Sequence, residues 1–173
     1  MGYLKDKNVY LCGAMYALND CGADWRDIIT PKLESYGVHV EDPVKKTAFV
    51  VSEVGEDKKR FRNLILDQDF AGLKEAFWPV VRKDLRCVDK ADFIIFCYDM
   101  PESPTVGTVH ELVAAQSQKK PILMKYNKDK LDKFNPWIAT FIKNGSFFPE
   151  WIDMFNYLDK VDNGEFDTSL WTL

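Results

Sequence analysis

One glutamate lies where the sequence changes from an extended to a helical pattern. Glu111 follows Gly107-Thr108 by three residues, at the start of a helix predicted over residues 108–117. A Pro-rich loop separates this helix from an apolar and β-branched run over residues 91–98. In open α/β sheets, ligands bind outside the carboxyl ends of parallel strands, beside helix N-termini that favour anions. This placement predicts that Glu111 lies at the active edge of a sheet and that the chain is an enzyme.

The same residues also fit a structural role. Thr108-x-x-Glu111 before an apolar run matches a capping box, in which the Thr and Glu side chains satisfy free N–H groups at a helix start. The tetrapeptide alone favours this structural interpretation. Its position directly after a buried strand and loop favours the catalytic one.

Strand and helix patterns alternate through most of the chain. Strands are predicted over residues 8–15, 38–40, 91–98 and 121–126, and helices over 24–36, 64–77, 80–90 and 108–117. Asp24 is the predicted N-cap of the first helix, Gly37 ends it, and Trp78-Pro79 separates the second helix from the third. Strands that alternate with helices predict an α/β fold with a doubly wound parallel sheet of four or five strands.

Two segments do not follow this alternation. Residues 44–63 are highly charged and lack periodicity, which predicts an insertion or a mobile loop. Residues 134–173 are rich in aromatic side chains, and residues 134–158 are predicted to form one or two amphipathic helices on the sheet. Those aromatics either complete the core or form a contact with another subunit.

The composition describes one globular domain over residues 1–173. The 173 residues are 46% hydrophobic and 29% charged, enough to bury about two-thirds of the unfolded surface. The formal net charge is −4, with basic and acidic residues interspersed. No basic face is therefore expected to bind a nucleic-acid polymer, although a single nucleotide stays open as a ligand.

Cysteine usage and hydropathy indicate a cytoplasmic protein. Cys12, Cys21, Cys87 and Cys97 form no C-x-x-C pair, so reduced thiols are expected, with no metal site and no cofactor. The N-terminus has only a short apolar run after three charges, and no run approaches the about 20 apolar residues of a membrane span.

Three short motifs occur in order between residues 8 and 126. They are VYLCG at residues 9–13, Asp84-Leu85 placed eight residues before the Asp of ADFII, and GTVHEL at residues 107–112. Together they resemble the nucleoside 2-deoxyribosyltransferases and the related nucleoside 5′-monophosphate N-glycosidases. The resemblance implies a small flavodoxin-like fold, a nucleoside or nucleotide substrate, a role in nucleotide salvage and a homo-oligomer.

The resemblance also implies roles for particular residues. Glu111 matches the family's nucleophile, Tyr10 the hydroxyl that touches it, and Asp84 the acid that contacts the sugar and assists departure of the base. Gly13 matches a substrate-binding position after the first strand. Such a pair of carboxyl groups makes chemical sense, since one can trap a sugar as a glycosyl ester while the other protonates or orients the leaving base.

The motif around Glu111 also differs from that of the transferases. Six residues before the nucleophile, the transferases usually have an Asp that binds the sugar's 5′-hydroxyl, and the monophosphate hydrolases have Ser; this chain has Thr105. A hydroxyl tolerates a phosphate that a carboxylate would repel. Ser103 and the backbone amides of Gly107 and Thr108 are predicted to help bind such a phosphate. Asp20, in a loop without arginine, argues the other way, so a 5′-hydroxyl and a 5′-phosphate both stay open.

Two other functions fit parts of the pattern. Cytokinin-activating phosphoribohydrolases share the Gly-Thr-x-x-Glu run, but they have Pro-Gly-Gly before it where this chain has residues 103–105, Ser-Pro-Thr. A flavodoxin-like module that binds or senses a nucleotide without turning it over is the main alternative. His110, Asp89 and Asp92 are predicted not to be catalytic, because structural or surface roles explain them.

Overall fold

Five parallel strands form one sheet in the residues that the structure describes. The structure is a computed structural model and describes residues 2–15, 22–45, 59–99, 106–167 and 169–171. The strands are β1 (Asn8–Gly13), β2 (His39–Glu41), β3 (Phe93–Tyr98), β4 (Ile122–Tyr126) and β5 (Phe147–Phe148). Their order is β2-β1-β3-β4-β5, and every pair is parallel. The predicted α/β, flavodoxin-like, doubly wound sheet is confirmed.

Helices cover both faces of this sheet. They are α1 (Ala23–Ser35), α2 (Phe70–Lys90), α3 (Val106–Ser117), α4 (Pro136–Ala139) and α5 (Trp151–Asp162), with a 3-10 helix over Lys128–Lys133. Residues 59–66 are also helical. The predicted loop over 44–63 is therefore wrong for residues 59–63, while residues 46–58 lie outside the described part of the chain.

Successive side chains of β1 point to opposite faces of the sheet and belong to two separate core layers. Val9 and Leu11 join the cluster that contains α1 and α5 residues, including Ile29 and Met154. Tyr10 and Cys12 face the opposite layer, where side chains of α2 and α3 such as Val88 and Leu112 are buried. Because side chains alternate along a strand, Tyr10 and Cys12 share one face two residues apart.

The predicted break between two helices at Trp78-Pro79 is wrong. Helix α2 continues through Pro79, whose side chain is exposed. The chain turns earlier, where Gln68 has a φ of 56° and the Asp69 side chain accepts a hydrogen bond of 2.8 Å from the Gly72 N–H. That N-cap satisfies a free donor and starts α2, whereas Pro79 removes one backbone hydrogen bond and crowds the carbonyl four residues earlier without ending the helix.

Helix α1 begins differently from the prediction and ends as predicted. Its N-cap is Gly22 with a φ of 74° and no side-chain cap, and Asp24 lies in the first turn. Asp24 is therefore not the N-cap, although a carboxylate there still complements the helix dipole. Gly37 has a φ of 77° and donates to the Glu34 carbonyl at 2.9 Å, which ends the helix where the sequence indicated.

The C-terminal aromatics mainly complete the core. The prediction of one or two helices over residues 134–158 missed β5, whose Phe148 is buried. Trp171 is also buried and donates a hydrogen bond of 2.8 Å to the Tyr157 hydroxyl, while Trp151 and Phe155 pack against the same cluster. In the described residues, no helix is both long and apolar enough to span a membrane.

Candidate active site

Tyr10 and Glu111, two of the predicted site residues, meet where the strand order reverses. The chain moves outward from β1 to β2, then returns to place β3 on the other side of β1. Ligands of doubly wound folds bind at this switch point, beyond the carboxyl ends of the strands. Helix α3 follows β3 there and holds Glu111 in its second turn.

Glu111 points from α3 to side chains of β1. The Tyr10 hydroxyl donates to Oε1 at 2.8 Å, and the Cys12 thiol donates to Oε2 at 3.0 Å. Thr108 lies inside the helix, which already includes Val106, so it is not the N-cap. The capping-box interpretation of Thr108 and Glu111 is therefore wrong, since both carboxylate oxygens accept from the neighbouring strand.

Opposing effects set the proton affinity of Glu111. Burial raises its pKa to about 7; the hydrogen bond from Cys12 lowers the pKa, the charge of Asp84 raises it, and Tyr10 and Arg26 lower it. Burial, followed by the charge of Glu111, raises the pKa of Tyr10 and of Cys12 well above their usual values. Both groups therefore stay protonated and remain donors to the carboxylate near neutral pH.

Asp84 lies on α2 close enough to interact electrostatically with the groups around Glu111. Burial raises the pKa of Asp84 to about 6, against the lowering effect of Lys83 and Arg26. Its charge also raises the pKa of Glu111, so the titrations of the two carboxyl groups are linked. Between about pH 6 and pH 7, the two groups together hold a single proton, which lies mainly on Glu111 because its pKa is the higher.

Arg26 links β1 to the start of α1, and sequence reasoning missed it. Its fully buried guanidinium donates to the carbonyls of Leu11 at 3.1 Å, Gly13 at 3.5 Å and Gly22 at 2.8 Å. It also forms an ion pair with the buried Asp42 at 3.6 Å. No sequence pattern indicates this role, because a single arginine in an amphipathic helix usually faces solvent.

Sequence reasoning also missed an ion pair at the carboxyl ends of the strands. Lys125 of β4 and Asp99, directly after β3, form an ion pair of 2.5 Å. The Lys125 ammonium lies 5.9 Å from the centroid of Trp151, which stacks on Trp25 with centroids 5.6 Å apart. Trp25 therefore packs against another aromatic residue, in agreement with a core role. The position of Asp99 after a buried strand was the available sequence signal.

The structure describes Gly13, Gly107 and Thr108 among the predicted substrate-binding residues. Gly13 ends β1, and a Cβ there would lie 3.2 Å from both the Cys97 carbonyl oxygen and the Trp25 ring. Thr108 is buried in α3 beside the exposed Gly107. Ser103 and Thr105 lie outside the described residues. Among the described residues, no three His, Cys, Asp or Glu side chains group closely enough to hold a metal ion.

The residues predicted not to be catalytic have other hydrogen-bond partners or an exposed side chain. The Asp92 carboxylate accepts a hydrogen bond of 2.7 Å from the Asn8 N–H, at the amino end of β1. Asp89 accepts one of 2.8 Å from the Gln118 side chain. His110 is exposed on α3. Each therefore has a structural or surface position.

Comparison with known proteins supports the fold assignment. No family model and no curated protein sequence matches the chain. A 2-deoxyribosyltransferase from Bacillus psychrosaccharolyticus has a similar structure, with a TM-score of 0.60 and 21% identity over 87% of this chain and 91% of that protein. A conserved protein from Enterococcus faecalis V583 gives a TM-score of 0.59 at 14% identity, covering 90% and 98%. A CMP N-glycosidase from Clostridium botulinum gives 0.49 at 17% identity, covering 88% and 99%.

Proposed function

We propose that this chain cleaves the N-glycosidic bond of a nucleoside, a deoxynucleoside or a 5′-monophosphate of either. The reaction class is that of a nucleoside 2-deoxyribosyltransferase or a nucleoside 5′-monophosphate N-glycosidase. The main support is the geometry at Glu111, whose carboxylate accepts from Tyr10 at 2.8 Å and from Cys12 at 3.0 Å beside the switch point of the sheet. The fold shared with a 2-deoxyribosyltransferase is consistent with this proposal.

In the first step, a Glu111 oxygen attacks the anomeric carbon of the sugar. A bond forms between that oxygen and C1′, while the C1′–N bond breaks and its electron pair leaves with the base. The proton of Asp84 neutralises the departing base, for which its raised pKa of about 6 is suitable. Tyr10 keeps Glu111 aligned during this displacement.

In the second step, an acceptor attacks C1′ and releases the Glu111 carboxylate. If the acceptor is another base, the protein is a transferase, and if it is water, the protein is a hydrolase. Asp84 takes back the proton of the acceptor, as the same group does in retaining glycosidases. No cofactor is needed, since both steps are nucleophilic displacements at one carbon.

We also propose that the hydroxyl of Thr105 allows a 5′-phosphate on the substrate. This proposal rests on the sequence, because Ser103 and Thr105 lie outside the described residues. Rates for a panel of nucleosides and their 5′-monophosphates, with and without an acceptor base, would identify the substrate. Equal rates for the two substrate forms would remove any role for Thr105 in phosphate selection.

The central test is the pair of variants Glu111→Gln and Glu111→Ala. Because they lack the attacking carboxylate, we expect turnover to fall by at least about a thousandfold while circular dichroism and the melting temperature show a folded protein. Mass spectrometry of the wild-type protein quenched during turnover should detect a sugar attached to Glu111. Replacement of the exposed neighbour, His110→Ala, is the control and should leave the rate unchanged.

The same variants separate an enzyme from a nucleotide-binding module. A binding module would show no turnover in the wild-type protein and would keep its nucleotide affinity in Glu111→Ala. An active Glu111→Ala protein would contradict the assignment of the nucleophile.

A further inference from the structure

Cys12 lies where it can act on Glu111. On β1 it is two residues after Tyr10, so both side chains reach the same face of the sheet and the same carboxylate. The Cys12 thiol is fully buried, with its sulfur 3.0 Å from Oε2 of Glu111. A buried cysteine is usually a small apolar side chain, so this short contact with a carboxylate oxygen requires an explanation beyond packing.

We propose that Cys12 is a positioning residue, whose thiol donates to Oε2 while Tyr10 donates to Oε1, so that Glu111 is held aligned and ionised for attack. The inference about turnover rests on the proposed function, but the effect on the ionisation of Glu111 does not. One donor on each oxygen fixes the plane of the carboxylate. Stable orientation of a nucleophile is worth orders of magnitude in rate when the reacting atoms must align.

The charges around the site agree with this role. Four groups from three elements act on Glu111: Tyr10 and Cys12 from β1, Asp84 from α2 and Arg26 from α1. Hydrogen bonds to a carboxylate favour its charged form and therefore lower its pKa. Burial and the charge of Glu111 raise the pKa of Cys12, so the thiol keeps the proton that it donates.

The test compares Cys12→Ala with Cys12→Ser. Alanine removes the donor, so we expect the pKa of Glu111 to rise by about one unit, which is a tenfold change in its proton affinity. The value of kcat should fall about tenfold at pH 6, with KM within twofold, and the loss should shrink above pH 8. Serine keeps an O–H donor and should restore both the pKa and kcat to within about threefold of the wild type.

The pKa is measured without substrate, by ¹³C NMR titration of Glu-labelled protein, with Glu111→Gln used to assign the signal. The matched control is Cys97→Ala. Cys97 is a second buried strand cysteine, paired with Gly13 in the β1–β3 register, one residue beyond the Phe96 that pairs with Cys12. It therefore faces the opposite layer, and its replacement should leave the Glu111 pKa unchanged.

The outcomes distinguish this inference from the proposed function. An unchanged Glu111 pKa in Cys12→Ala, or a Cys12→Ser protein that behaves like Cys12→Ala, would overturn the positioning role. A shifted pKa in a protein that turns over no nucleoside or nucleotide would support Cys12 and contradict the glycosyl chemistry.

Discussion

At the scale of single residues, both carboxyl groups of the site, Glu111 and Asp84, have a pKa above the usual value. Burial raises the pKa of Glu111 to about 7 and that of Asp84 to about 6. The proposed reaction needs an ionised Glu111 and a protonated Asp84. Only the singly protonated pair contains this form, and because Glu111 has the higher pKa, the form with the proton on Asp84 is the minor one between the two values.

The first prediction is a bell-shaped dependence of kcat/KM on pH, with an acid limb near pH 6 and an alkaline limb near pH 7. Below the acid limb both groups are protonated, and above the alkaline limb neither can donate. Asp84→Asn removes the acid, so the alkaline limb should disappear and kcat/KM should fall by about a hundredfold or more. Steady-state rates between pH 5 and pH 9 provide the measurement.

The control for this prediction is Asp89→Asn. Asp89 lies on the same helix, is exposed and accepts a hydrogen bond from Gln118, so its replacement should leave the profile unchanged. If Asp84→Asn keeps both limbs of the curve, Asp84 is not the proton donor.

Some residues of the site could be predicted from the sequence, and others could not. Glu111 was predicted because a glycine, a loop and an apolar strand precede it, and Tyr10 because it belongs to the first-strand motif. Cys12 had the same period-two relation to Tyr10 and could have been found from it. Arg26 could not, because the carbonyls of Leu11, Gly13 and Gly22 come together only in the folded chain.

At the scale of elements, Arg26 links β1, α1 and the segment after β2. Its guanidinium is 0% exposed, and its partner Asp42 is 4% exposed. Such a buried pair contributes little compared with an apolar pair, but removal of one member leaves an uncompensated charge. The strand of Tyr10 and Cys12 is therefore joined to α1 and to Asp42 through one buried side chain.

We predict that Arg26→Met lowers the free energy of unfolding by about 3 kcal/mol. The change removes the ion-pair partner of the buried Asp42 carboxylate and the donor to the carbonyls of Leu11, Gly13 and Gly22. Urea denaturation at pH 7 is the measurement. The double variant with Asp42→Asn should lose less than the sum of the two single changes. Lys32→Met on the same helix is the control, since its pair with Asp159 is 40% and 47% exposed and should contribute less than about 1 kcal/mol.

A loss in Arg26→Met as small as that in Lys32→Met would show that the buried pair does not stabilise the fold. The absence of coupling with Asp42→Asn would show that the effect comes from the carbonyl hydrogen bonds alone.

The element pattern was predictable wherever periodicity and caps agreed. The strands β1 to β4 and helices α1 and α3 were predicted with ends differing by a few residues. The start of α2 at Phe70 was not, because the predicted helix over residues 64–77 ran through Asp69, whose side chain caps α2 by accepting from the Gly72 N–H. The two-residue strand β5 has no periodicity of its own, and it forms only through pairing with Met124 and Lys125 of β4.

At the scale of the whole molecule, most exposed apolar side chains lie outside the C-terminal segment, for which either core packing or a contact with another subunit was predicted. Within residues 65–78 the exposed large hydrophobic residues are Ile65, Leu66, Phe70, Phe77 and Trp78. Phe61 packs edge-on against Phe77, with ring centroids 5.1 Å apart. In the described part of residues 134–173, only Trp137 and Ile152 are comparably exposed. Exposed apolar patches commonly mark protein interfaces.

We therefore propose that the chain forms a homo-oligomer through the surface of residues 65–78, and the last prediction tests it. Trp78 is 50% exposed and Trp137 is 76% exposed, so either can be changed to lysine with little effect on the core. A lysine buried in a subunit contact loses its hydration, and Trp78→Lys should weaken association by tenfold or more. Sedimentation velocity should show wild-type protein and Trp137→Lys above the 20.0 kDa monomer mass and Trp78→Lys shifted toward it. The opposite pattern would assign the contact to the C-terminal segment, and a monomeric wild type at every concentration would contradict the assembly.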